Sequence, residues 1–122
     1  MIQRIYMVTP MGKPRMTQRD KWAERKVVED YWAFKDQCKA LGMVLPESGA
    51  HVIFHLPMPK SWSKRRKCDL RGKPHQGKPD IDNLAKAVLD ALYLDDSGIH
   101  SITLSKLWTD TDNGHIEIWS DQ

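Results

Sequence analysis

The sequence predicts a small α/β domain, a mixed sheet of about four strands with two main helices packed against it. Three observations predict it. Short runs rich in β-branched and aromatic residues (IQRIYMV, HVIFHL, ITLSKLW and HIEIW) are interspersed with two segments of helical period. The order strand, helix, strand, loop, helix, strand, strand belongs to an α/β layer rather than to a bundle or an all-β sandwich. The length, 122 residues with 40% hydrophobic and 29% charged, suits a single domain over 1–122 with one core.

The elements follow in order. IQRIYMV reads as a short first strand, closed by the cluster Pro10, Gly12 and Pro14. From Thr17 to about Leu41 there is no Gly or Pro, and Trp22, Val27 or Val28, Tyr31, Phe34 and Cys38 recur at helical spacing, so a long helix is expected there, stopped by Gly42 and Pro46. Ala50 to Leu56 reads as a strand ended by Pro57 and Pro59. Residues 57–79 hold four prolines, two glycines and eight Lys/Arg, a composition whose self-repulsion and turn formers predict a long mobile loop without a packed element. Such a loop in a small domain is more often functional than incidental. From Asp82 to Leu92 or Tyr93, Leu84, Val88 and Leu92 with flanking alanines give a short helix with one apolar face, capped by Asp80 or Asp82. Ile99 to Trp108 and His115 to Trp119 complete the sheet across the turn TDTDNG.

Composition limits the function classes. No apolar run approaches the roughly 20 residues of a membrane-spanning helix, and MIQRIYMVTP lacks the apolar stretch of a secretory signal, so a cytoplasmic protein that does not enter membranes is expected. Cys38 and Cys68 are too few for a disulfide scaffold and read as free thiols of a reducing compartment. The net charge of +3 conceals a sorting of charge along the chain. Residues 60–79 carry eight Lys/Arg against one acid, whereas residues 80–122 carry two against nine. A chain that grips a polyanion with one segment and a metal with the next has a use for that sorting.

The acidic segment opens with Pro79-Asp80-Ile81-Asp82. In an extended chain the carboxylates at i and i+2 share one side while Ile81 turns to the core. Like charges a few ångströms apart repel by about 1 to 4 kcal/mol at effective dielectrics between 80 and 20, so a proton or a hard divalent cation is needed between them. Lys86, one turn beyond Asp82, brings an ammonium beside the pair. Taken singly, an Asp at a helix start is most often a cap, and an i,i+4 Asp–Lys pair is most often solvated surface. A second acidic pair, Asp95–Asp96, and the cationic segment upstream tilt the reading toward a metal site. Asp90 is either part of this constellation or merely exposed. His51 and His55 share a strand face, but no Cys/His set has the spacing of a zinc site.

The run KPDIDNLAKAVLDAL followed by LDDSGI resembles the signature of the RusA family of Holliday-junction resolvases, common in phages and prophages, and PMPKSWSKRRK upstream is similar to its phage members. The resemblance covers essentially the whole chain. It implies a RusA-like α/β homodimer that binds a four-way DNA junction and cuts two strands symmetrically with Mg²⁺, for which Mn²⁺ is a possible substitute, inside a bacterial or phage-infected cell. Position by position, Asp80, Asp82 and Asp96 match the family's metal-binding catalytic aspartates and Lys86 its catalytic lysine. Asp95 is a possible further ligand, and Asn83 matches a motif position without an assigned role. One departure is visible: only Ala-Leu-Tyr-Leu separates Asp90 from Asp95, shorter than the family's usual connection.

The cations Lys60, Lys64, Arg65, Arg66, Lys67, Arg71, Lys73 and Lys78 are the expected phosphate contacts, with salt-dependent affinity and little reading of base sequence. Trp62 is a candidate stacking partner for an unpaired base, although a Trp beside prolines more often packs on the domain surface, and His75 is an additional phosphate donor. Two other classes stay open on the residues alone. One is a non-catalytic DNA-binding protein in which the acidic motif only caps a helix. The other is a general metal-dependent nuclease of the PD-(D/E)xK kind, for which no acid-x-Lys follows at suitable spacing.

Overall fold

The computed structural model of the chain describes residues 1–15 and 26–122. In chain order its elements are β1 (Ile2–Tyr6), α1 (Lys26–Ala40), β2 (Ala50–Pro57), α2 (Lys64–Leu70), α3 (Ile81–Leu92), β3 (Ile102–Thr109) and β4 (His115–Ser120). The part of the long helix expected over 17–25 lies outside the described residues. The four strands form one mixed sheet in the order β1-β4-β2-β3, with β2 and β3 parallel and the other pairs antiparallel. Parallel neighbours require a crossover, and here α2, α3 and their connections supply it.

One face of the sheet makes the core. Ala50, Val52, Phe54 and Leu56 of β2 alternate inward beside Ile116 and Ile118 of β4 and Tyr6 of β1. They meet Tyr31, Phe34 and Cys38 of α1 and Leu84, Ala87, Val88 and Ala91 of α3. Burial pushes the Cys38 thiol up to about 11, as suits a cysteine acting as a small apolar side chain. The opposite face carries His51, Ile53 and His55 beside His115, Glu117 and Trp119. There His55 pairs with Glu117 at 2.8 Å and stacks on His115 with ring centroids 4.1 Å apart.

Two expectations are corrected. The basic segment is not a structureless loop: Ser63 caps α2, accepting a hydrogen bond from the Arg66 amide at 3.2 Å, and a serine cap suffices to start a short helix despite the crowding of cations. The last-but-one strand starts at Ile102 rather than Ile99, because residues 95–99 close a turn. In it the Ser97 amide donates to the Asp95 carboxylate at 2.9 Å and the Ile99 amide to the Asp96 carbonyl at 3.0 Å.

Asp90 is where α1 and α3 are tied. Its carboxylate accepts from the Tyr31 hydroxyl at 2.6 Å and from Lys35 at 3.2 Å, and Lys13 stands 3.8 Å away. The Tyr31 hydrogen bond, reinforced by the lysines, holds the Asp90 carboxyl below the usual carboxylate range despite its partial burial. A depressed carboxyl stabilises the fold above its unfolded pKa and loses that contribution as pH falls through its folded pKa. Asp90→Asn is therefore expected to melt below the wild type at pH 7, with the gap closing below about pH 4. Thermal melts across pH 3–7 check this, and a gap independent of pH contradicts the assignment.

Candidate active site at the start of α3

Asp80 is the last extended residue before α3, at φ −65° and ψ 146°, and its carbonyl accepts the Asn83 and Leu84 amides at 3.1 Å. Its side chain makes no capping hydrogen bond, so the carboxylate is not consumed by the helix end. The helix starts one residue earlier than expected, so Asp82 lies in its first turn and not in an extended run. Both carboxylates thus stand at a helix start and line one cavity, where the positive end of the dipole favours negative charge. Ile81 is half-buried between them.

Each carboxylate has one lysine. Lys78 stands 3.5 Å from Asp80 and Lys86 stands 3.6 Å from Asp82, in exposed pairs on the rim of an open cavity of about 520 Å³. That cavity is lined by Gln76, Gly77, Lys78, Asp80, Ile81, Asp82 and Lys106. Asn83 faces the other way: its side-chain amide donates to the Lys13 carbonyl at 3.1 Å, and the Lys13 amide donates to the Asn83 carbonyl at 3.4 Å. Gly12 permits this approach, because a Cβ there would sit 2.5 Å from Asn83 Nδ2. The motif asparagine therefore pins residues 12–13 to the start of α3.

Asp95 and Asp96 lie past the other end of α3. Twelve residues at a rise of 1.5 Å put them about 18 Å along the axis from Asp80. Their turn is tied to the opposite end of β2 and β3, with the His100 amide donating to the Glu47 carbonyl at 3.0 Å and the Gly49 amide to the Ser101 carbonyl at 3.2 Å. The short Ala-Leu-Tyr-Leu connection leaves no chain to return toward the helix start. Within one protomer the structure does not bring Asp96 to Asp80 and Asp82, and among the described residues no three His, Cys, Asp or Glu side chains group as a metal site.

The basic segment runs from α2 to this cavity along the edge of β3. The Gly72 amide donates to the Trp108 carbonyl at 2.9 Å, the Trp108 amide to the Lys73 carbonyl at 3.0 Å, and the His75 amide to the Lys106 carbonyl at 3.0 Å. Trp108 anchors the arm through rings, with Trp62 at 5.0 Å and His75 at 4.0 Å, while the Arg66 guanidinium covers the Trp62 ring at 3.7 Å. His75, expected at the DNA surface, is instead buried at 6% exposure, and burial with the nearby Lys106 charge lowers its pKa, so it braces the turn as a neutral ring. Trp62 is half-buried against Trp108 with Arg66 over its ring, the surface packing that a Trp beside prolines more often adopts. Lys60, Lys64, Arg65, Arg66, Arg71, Lys73 and Lys78 are exposed, with Lys67 half-buried.

Sequence reasoning missed Trp108 and Lys106. A lysine in phase with the apolar Ile102 and Leu104 was the available signal.

The chain matches the Endodeoxyribonuclease RusA family over residues 6–119 of its 122. It belongs to the RusA family. That family comprises endodeoxyribonucleases that resolve Holliday junctions, so this RusA protein is a nuclease, and its small α/β sheet with three described helices agrees with a RusA-like fold. No curated protein matches the chain. Among the described residues no helix is long and apolar enough to cross a membrane.

The anchoring of the arm has a direct consequence. Trp62→Ala removes one ring from the tilted Trp62–Trp108–His75 cluster and is expected to speed tryptic cleavage within residues 64–73 several-fold, with little change in the melting temperature because α2 buries no residue. Limited proteolysis read by mass spectrometry checks this, and unchanged cleavage would mean the rings do not hold the arm.

Proposed function

We propose that the protein is a divalent-cation-dependent, structure-specific endonuclease that cuts four-way DNA junctions symmetrically as a two-fold dimer. One observation carries the reading: in a RusA-family chain, two uncapped carboxylates and two lysines share a helix start that the most cationic segment runs into. A junction with approximate two-fold symmetry calls for two related incisions, which two equivalent sites supply. On this reading the protein acts inside a bacterial or phage-infected cell, as the resemblance to phage and prophage members implies.

The donor set fits a hard cation. Asp80 and Asp82 offer oxygen ligands at an open cavity, and Mg²⁺ is usually held by one or two carboxylates with waters and substrate phosphates completing the shell. Mn²⁺ suits the same oxygens. A cation held there supplies Lewis acidity toward the scissile phosphate and lowers the pKa of water. The chain's own groups do the rest. Lys86, tethered to Asp82, donates to charge that develops on the phosphoryl oxygens. The exposed cations from Lys60 to Lys78 neutralise DNA phosphates and release counterions, which makes affinity steeply salt-dependent and largely blind to sequence.

Asp96 enters this reading through the dimer. The resemblance gives it a metal-binding role, yet its position about 18 Å along α3 keeps it from the same protomer's pair. Both hold together when the partner's Asp96 completes the site.

Cutting of a synthetic four-way junction against linear duplex tests the reading. Asp82→Ala is expected to lose about 100-fold or more in junction cutting, since several kcal/mol of charge stabilisation go at 1.36 kcal/mol per decade. Junction affinity is expected to stay equal or tighten, because an anion has been removed. Mixing Asp82→Ala with Asp96→Ala subunits then restores nicking through one intact shared site per heterodimer. Wild-type cutting by Asp82→Ala would overturn the metal assignment, and inactive mixtures would overturn the shared site.

A further inference from the structure

Residues 80–122 contain only two lysines and no arginine: Lys86 pairs with Asp82 beside this cavity, and Lys106 lines it. Lys86 belongs to the motif, whereas Lys106 comes from a different element and no motif includes it. On β3 it lies in register with Phe54, a fully buried core residue, and in phase with Ile102 and Leu104. An apolar side chain is what that position calls for, and a lysine that breaks the pattern of a well-formed strand marks a functional constraint more often than chance. Lys106 is half-buried: it occupies an inward-phase position of the strand and carries its ammonium out to the cavity, where that group needs acceptors.

Two backbone carbonyls satisfy it. Lys106 Nζ donates to the Gly77 carbonyl at 2.5 Å and to the Pro79 carbonyl at 2.8 Å. The Pro79 carbonyl belongs to the peptide unit that ends at the Asp80 nitrogen, so this bond sets the orientation of the plane from which Asp80 departs. The Gly77 bond holds the preceding corner, and the His75 amide, bonded to the Lys106 carbonyl at 3.0 Å, fixes the same lysine's backbone to the same turn. The turn is thus gripped twice by one residue, through side chain and main chain. Asp80 has no capping bond of its own to set its direction.

We infer that Lys106 is a positioning residue of the cation site, acting through the Gly77 and Pro79 carbonyls to hold the Asp80 carboxylate where it can ligate. The inference rests on the reading of Asp80 and Asp82 as cation ligands. Groups that orient ligands in this way are worth about 10- to 100-fold in metal affinity or activity. A lysine that merely filled space would be replaceable by methionine.

The experiment compares wild type, Lys106→Met and Asp82→Ala for Mn²⁺ affinity by electron paramagnetic resonance, junction cutting, junction binding without divalent ions, and melting temperature. Lys106→Met is expected to weaken Mn²⁺ binding and cutting by about 10- to 100-fold, with junction binding within about twofold of wild type. For a methionine variant that fails to fold, Lys106→Cys in a Cys68→Ser background decides. Alkylation with 2-bromoethylamine restores a cation on a chain of lysine length, while 1-bromopropane gives a neutral chain of similar length. Recovery of Mn²⁺ affinity with the aminoethyl group alone supports the inference. Equal behaviour of the two adducts, or wild-type Mn²⁺ affinity in Lys106→Met, overturns it. Wild-type Mn²⁺ affinity in Asp82→Ala instead overturns the underlying site.

Discussion

The edge of β3 is where the two electrostatic halves of this chain are joined. Three main-chain hydrogen bonds from residues 72–75 to Lys106 and Trp108 extend the sheet by an irregular strand. Without that seam the cationic arm and the acidic helix start would be neighbours in sequence but not fixed in space. With it, the Trp62 and His75 rings close on Trp108, the Lys106 ammonium closes on the turn before α3, and the arm leads to Asp80. An edge strand is exposed to adventitious pairing, and here the chain covers part of its own edge with the segment that needs placing.

Electrostatics explains why this seam matters to function. A cationic arm by itself binds DNA anywhere, and an acidic pair by itself repels it. On the proposed reading, the arm held beside the acidic pair offsets that repulsion, and the exposed carboxylates exchange their lysine partners for a cation that the DNA phosphate shares. The helix dipole at the start of α3 and the lysines beside each Asp serve the same end, since they ease the meeting of two negative charges. The rest of the domain is conventional support: Leu84, Ala87 and Val88 anchor α3 on the sheet, and Asp90 ties α3 to α1 through Tyr31. Asp90 carries the same chemistry as Asp80 and Asp82 but has its charge taken up by a phenol and lysines, which makes it a fold residue.

Much of this was legible in the residues. Runs of β-branched and aromatic residues bounded by Pro and Gly placed the strands, and the Leu84–Val88 stripe placed α3, because strand propensity and one-sided helix burial are both local signals. Asp80, Asp82 and Lys86 could be grouped because their contacts are local in sequence. What depended on long-range contact was hidden. α2 was obscured because its composition reads as self-repelling, while its capping serine and the stacking of Arg66 on Trp62 offset that. The fate of His75 followed from Trp108, which is distant in sequence. Asp96 was grouped with Asp80 by the recurrence of an acidic pair and by the motif, and the length of α3 separates them within a protomer.

The central claim is that a divalent cation sits between Asp80 and Asp82 at the start of α3. Paramagnetic broadening of backbone amide resonances by substoichiometric Mn²⁺ tests it without DNA or turnover. The account predicts that the amides of Asp80, Ile81, Asp82 and Asn83 broaden first, followed by those of Gly77 and Lys106. Broadening centred elsewhere, for instance on Asp110 and Asp112 in the β3–β4 turn, with residues 80–83 unaffected, would contradict it.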